Sequence, residues 1–170
     1  MKRLAIISAM LLFSASVFSN PLPPPPVISE LYWDDSGWTM ELYFLMAPYD
    51  IGNLDELLMV CNGDTSAFNP GIPIELWQII VVTSEDLLEP MDIPVEGGMI
   101  QFLYTEDLSP INDGFVYGNY PSSRVTAVEP GQSLVTQKFI TIDERGMEFW
   151  VVKEMQPSIG SLPFTCQTRA

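Results

Sequence analysis

Carboxylates are the groups in this sequence with the widest chemical reach: 22 Asp and Glu side chains and no histidine. Two carboxylates can hydrolyse a glycosidic bond without help from an imidazole. Asp34 with Asp35, Glu85 with Asp86 and Glu89, and Glu106 with Asp107 supply such pairs. A chain this acidic generates close pairs by chance, and most belong to a solvated face. A carboxylate-pair glycoside hydrolase is therefore kept only as the third reading. The missing histidine removes Ser-His-Asp and Cys-His nucleophiles, His-ligated zinc and His general acid/base work. No glycine-rich phosphate loop or dinucleotide fingerprint is present. The expectation is a non-enzymatic protein with no catalytic residue and no cofactor, calcium excepted.

Calcium is the metal these oxygens suit, because it takes loop carboxylates and carbonyls. Asp50, Asn53, Asp55 and Asp64 are the candidate ligands, drawn from "DIGNLDE" and "CNGDTS". Neither stretch follows the EF-hand pattern, and ordinary turn chemistry explains both. Trp33, Trp38, Trp77 and Trp150 lie in strand-like runs and read mainly as core. Tyr117 and Tyr120, in "VYGNYP", sit beside a loop and are the expected binding-surface aromatics.

Met1 to Ser19 has the form of a signal peptide: Lys2 and Arg3, an apolar run from Leu4 to Phe13, and small residues before a cut at Asn20. The run is too short to cross a bilayer, and no later stretch reaches that length. A secreted or otherwise extracytoplasmic protein is expected. Processing leaves five cations against 22 acids, a net charge of −17, which repels nucleic acid and anionic lipid. Only 17% of residues are charged and 47% are hydrophobic, the balance of a folded domain. In an exported chain the two cysteines, Cys61 and Cys166, are expected to form one disulfide. Closing a loop of about 105 residues would contribute up to about 4–5 kcal/mol in the chain-entropy model.

Asn20 to Pro26 is a proline-rich spacer. Beyond it, Trp38, Met40, Leu42 and Phe44 alternate with Thr39, Glu41 and Tyr43, the period of a half-buried strand. Ile28–Trp33 and Trp38–Phe44 read as a hairpin around Asp34, Asp35, Ser36 and Gly37. Further strands are expected at 56–61, 74–82, 98–104, 113–118, 138–144 and 146–154, separated by turn signals such as "NGD", "NPG" and "EPG". One short helical turn is expected near 84–89, capped by Ser84 and stopped by Pro90. Short strands without a long helix indicate an all-β antiparallel sandwich.

"PVISELYWDDSGWTMELYF", "EPGQSL" and "QPSIGSLP" together resemble, in order and spacing, the lamin-tail domain family, over about Pro26 to Pro163. The stretch "IGNLDELLMVCNGDTS" departs from the family's middle strands. The resemblance implies an immunoglobulin-like β-sandwich over 27–165, a tail at 166–170, no catalytic residues, and a binding or tethering role. It also places Glu30 and Glu41 at signature positions, with a structural job such as hydrogen bonding or strand-edge protection. The functional expectation is an exported module for protein or cell-surface interaction. The second reading is a calcium- or carbohydrate-binding module of the cell envelope.

Overall fold

A computed structural model describes residues 26–44, 51–111, 114–123, 125–129, 132–136, 152–155 and 159–160. The hairpin that opens the domain forms as read. β1 (Val27–Asp34) and β2 (Gly37–Tyr43) run antiparallel, with Trp33 opposite Trp38 and Leu31 opposite Met40. The turn between them is held by Asp34, whose Oδ1 accepts from the Ser36 N–H at 2.8 Å.

β3 (Leu57–Cys61) and β4 (Asp64–Ala67) are joined by Asn62 and Gly63, both at positive φ (51° and 102°). That is the conformation of a two-residue hairpin turn, and Asn-Gly adopts it at little steric cost. β5 (Ile79–Thr83), β6 (Gly97–Tyr104), β7 (Phe115–Gly118), β8 (Ser133–Thr136) and β9 (Val152–Met155) complete the described strands.

All pairings between the described strands are antiparallel and make two sheets, β5-β2-β1-β8-β9 and β4-β3-β6-β7. The protein is an all-β sandwich. Leu31, Trp33, Trp38, Met40 and Leu42 from one sheet share a buried core with Leu57, Met59, Ile100 and Phe102 from the other. Alternation along each strand directs these side chains to the inner face.

Several expectations shift. The strand expected from Ile74 begins only at Ile79: the backbone at 72–74 bonds to Gly52 and Leu54 instead, and Trp77 takes a left-handed φ of 66°. The helical turn is a 3-10 turn, Ser84–Asp86, and its cap is Thr83: Thr83 Oγ1 accepts from the Glu85 N–H, and Asp86 Oδ2 accepts from the Thr83 N–H at 2.8 Å. A second 3-10 turn, Leu54–Glu56, and the strands β4 and β8 were not foreseen. The signal segment, most of the spacer, the strand at 138–144, Trp150 and the tail at 166–170 lie outside the described residues.

The two hairpin tryptophans are architectural. Trp38 Nε1 donates to the Met91 carbonyl (2.8 Å), and Trp33 Nε1 donates to that of Ile93 (2.7 Å). Tyr117 Oη donates to Pro94 O (2.6 Å). Three aromatic side chains thus donate to one strap, residues 91–96, which ends in a turn at 95–96. The strap has no strand partner among the described residues, and side chains satisfy its carbonyls.

Candidate functional site

Tyr117, expected on a binding surface, is fully buried. Its ring packs on Trp33 and Phe115, and burial pushes its phenol far above the usual range, so it remains a proton donor to the strap. Tyr117 lies in the strand expected at 113–118; its loop-adjacent position concealed that it faces the core. Tyr120 is half-buried and lines a shallow depression of about 470 Å³ with Asn62, Glu96 and Pro121.

The calcium candidates do not converge. Asn53 and Asp55 flank or start the first 3-10 turn, and Asp64 begins β4 at the other end of β3. The length of β3, about 13 Å at ~3.3 Å per strand residue, lies between Asp55 and Asp64. Glu56 turns its Oε1 to the Gly52 and Asn53 N–H groups (3.0 and 3.1 Å). Asp55 buries its Oδ1 without a hydrogen-bond partner among the described residues, and Asp50 lies outside them. Among the described residues, no three acidic, His or Cys side chains are grouped to hold a metal.

The expected Cys61–Cys166 disulfide is not seen. Cys61 is a free, buried thiol, and Cys166 lies outside the described residues. Burial, with Asp92 and Asp64 nearby, pushes the Cys61 thiol up to about 11, so it stays protonated and apolar in character.

One carboxylate in each group proposed for hydrolysis, Asp34, Asp86 and Asp107, is a turn or cap acceptor. Asp34 and Asp107 each accept from the serine two residues on, and both sit below the ordinary carboxylate value for that reason. Asp34, Asp35, Asp92 and Glu96 do share an open cleft of about 590 Å³ between the hairpin turn and the strap. It is an acidic recess with no assembled ligand set.

Two features the sequence did not isolate stand out on the outer face of the five-stranded sheet. The first is a row of backbone partners that runs Val81 (β5), Glu41 (β2), Glu30 (β1), Val135 (β8) and Lys153 (β9). Glu30 and Glu41 are completely buried. A bulge at Ser29 shifts the register between Ile28 and Glu30. It lets the Ser29 hydroxyl donate to Glu41 Oε2 at 3.1 Å. The Gly160 N–H donates to the other oxygen of Glu41, and Ser133 Oγ donates to Glu30 Oε1. Burial, and secondarily the charge of Glu30, raises Glu41 above the ordinary glutamate value; the Gly160 and Ser29 donors oppose that rise. The hydrogen-bonding role implied for these glutamates is present. Edge protection is not: β1 and β2 are interior strands, and nothing from solvent reaches either carboxylate.

The second feature lies one strand away. β5 is an edge of this sheet among the described strands. Val81 is 44% exposed, and the turn leading into the strand exposes Leu76 (42%) and Trp77 (56%). Trp77 rests edge-on against Tyr43, with ring centroids 6.5 Å apart. A tryptophan at positive φ is a backbone outlier, fixed here by its N–H donating to Phe44 O at 3.0 Å. The signal in the sequence was the run "LWQIIVV", charge-free from Leu76 to Val82. Period-2 reading assigned its tryptophan to the core because it assumed a strand through Trp77.

The charge distribution sharpens this surface. Positions 4 to 123 contain 17 of the 22 acids and neither lysine nor arginine. β1 to β7 therefore carry no cation, and the potential over the second sheet and over β5 is negative.

Comparison of the chain with family models, curated proteins and solved structures found no match.

Proposed function

We propose that the chain is an exported, non-enzymatic β-sandwich module that binds a protein partner or a protein-bearing surface through the β5 edge. One observation carries this reading: Leu76 and Trp77, in the turn leading into β5, and Val81, on β5, are exposed apolar side chains at a strand that is an edge of its sheet among the described strands. Large apolar side chains left in water on a strand edge favour association. Backbone strain at Trp77 adds weight, since outliers concentrate where a surface is used. The signal-like leader and the resemblance to lamin-tail domains support export and a tethering role. A calcium- or sugar-binding role has less behind it, because no three acidic, His or Cys side chains are grouped to hold a metal among the described residues.

The test is retention of envelope and supernatant proteins on the immobilised chain at high salt, where purely electrostatic background fades. Trp77→Asn keeps a residue that tolerates the left-handed backbone, and Val81→Lys places a charge on the edge. Retention that both variants abolish supports the reading. Retention indifferent to both removes β5 from it.

A further inference from the structure

We infer that the β5 edge accepts an extended strand from a basic polypeptide, which joins the five-stranded sheet beside β5. This rests on the contact-surface reading above and names the kind of partner.

The four sheet edges among the described strands are treated differently. At β4, the Leu88 N–H donates to Ala67 O (2.9 Å), the Asn69 N–H donates to Asp86 O (2.7 Å), and Phe68 pairs with Leu87, so a returning segment covers the end of the edge. At β7, the Gly118 N–H is taken by Val125 O at 2.9 Å. β9 is described over Val152–Met155, and its sequence contains Lys153 and Glu154, residue types that discourage strand addition at an edge. β5 has none of these devices. Its five residues are Ile, Ile, Val, Val and Thr, without charge, proline or bulge, and β2 is its only strand partner among the described residues. Alternate residues of an antiparallel edge turn N–H and C=O outward, so β5 presents two or three such residues to an incoming backbone.

Charge selects the partner. Glu75 precedes the edge; Glu85 and Asp86 follow it, and no cation lies between positions 4 and 123. A second copy of the chain would bring two such flanks together, and like charges opposed across strands destabilise pairing. An extended segment with β-branched residues in its middle and Lys or Arg at its ends meets both requirements. Backbone hydrogen bonds then give affinity, and the end charges select the partner.

The experiment uses the full chain and a labelled synthetic peptide of alternating valine and threonine with lysine at both ends. Controls are the same peptide with a central proline and one with glutamate at both ends. Binding is read by fluorescence anisotropy at low and high salt. Amide hydrogen exchange over Ile79–Thr83 reports the contact. The inference expects slowed exchange there and about tenfold or greater weakening by proline, which removes an N–H and the strand geometry. It also expects the glutamate-ended peptide to bind worse, by a margin that narrows with salt. Equal binding of the proline peptide overturns strand addition, and equal binding of the glutamate-ended peptide overturns the basic partner. So does absence of binding by every peptide. A dimer in sedimentation that Val81→Lys dissociates overturns it in favour of self-pairing. The two readings fail separately. If retention in the pull-down requires Trp77 and Val81 but the proline peptide binds as well as its parent, the contact surface stands and strand addition falls. If retention ignores both residues, the surface itself is wrong.

Discussion

Glu41 and Val81 are backbone partners on adjacent strands, in one row on one face of one sheet, yet their environments are reversed. The glutamate is wholly buried and the valine is 44% exposed. Ordinarily the carboxylate faces water and the valine does not. The inversion separates two jobs within a few ångströms. At the centre, the chain closes over the glutamates and supplies donors to them from Ser29, Gly160 and Ser133. At the edge, an apolar strand is left without a cover among the described strands. A buried acid that is hydrogen-bonded belongs to the fold; an uncovered apolar edge belongs to whatever docks there.

The largest expected effect comes from breaking the centre. Glu41→Ala removes the carboxylate to which the Ser29 hydroxyl and the Gly160 N–H donate, leaves Ser29 only its longer bond to the Glu41 carbonyl (3.4 Å), and opens a void. Each lost hydrogen bond to a charged group costs about 1.5–3 kcal/mol. In a domain of this size, each kcal/mol lowers the melting temperature by about 2–4 °C. Glu41→Gln keeps an oxygen for Gly160 and an amide for Ser29, and should cost little at neutral pH. Thermal unfolding of both variants checks this. A glutamine variant as unstable as the alanine one would mean that the ionised charge, and not the hydrogen-bond acceptor, holds the centre.

The next effect is a pH slope. Because folding raises Glu41 above its ordinary value of 4.5, the folded state holds that proton more tightly than the unfolded one. Its contribution is complete below pH 4.5 and is lost as pH rises through the higher folded value. Many other acids titrate in the same window, so the useful quantity is the difference between wild type and Glu41→Gln. Wild type should lose stability relative to the glutamine variant as pH rises from about 4.5. A difference that stays flat, or moves the other way, refutes the raised value.

How far the sequence foretold this depends on what kind of signal each part leaves. The β1–β2 hairpin and β6 were legible because period-2 alternation and turn residues agree there. β4 was missed because "DTSA" has neither apolar alternation nor β-branched density, and its pairing comes from the Asn62–Gly63 turn. The burial of Glu30 and Glu41 left no local trace, since the donors that reach them from Ser133 and Gly160 lie more than a hundred residues away in sequence. Tyr117 was misplaced for a similar reason: its proximity to "GNYP" is local, while its packing against Trp33 and the strap is not. The open edge was written in the sequence as a charge-free run inside a cation-free stretch. Reading it required knowing which strand lies outermost.

The smallest expected effect on stability is at that edge, and this makes it the sharper half of the comparison. Val81→Lys and Trp77→Asn alter exposed side chains whose partners are few. Each should change unfolding free energy by no more than about 0.5 kcal/mol. Trp77→Asn gives up an edge-on contact with Tyr43 but relieves the left-handed backbone, since asparagine takes that conformation more readily. Denaturant midpoints with unchanged slopes would show that the edge contributes almost nothing to the fold. If the same variants then abolish partner retention, the exposed apolar strip is maintained for contact alone. A large loss of stability from either would instead assign Val81 and Trp77 to the fold, alongside Glu41, and the contrast between the two neighbours would disappear.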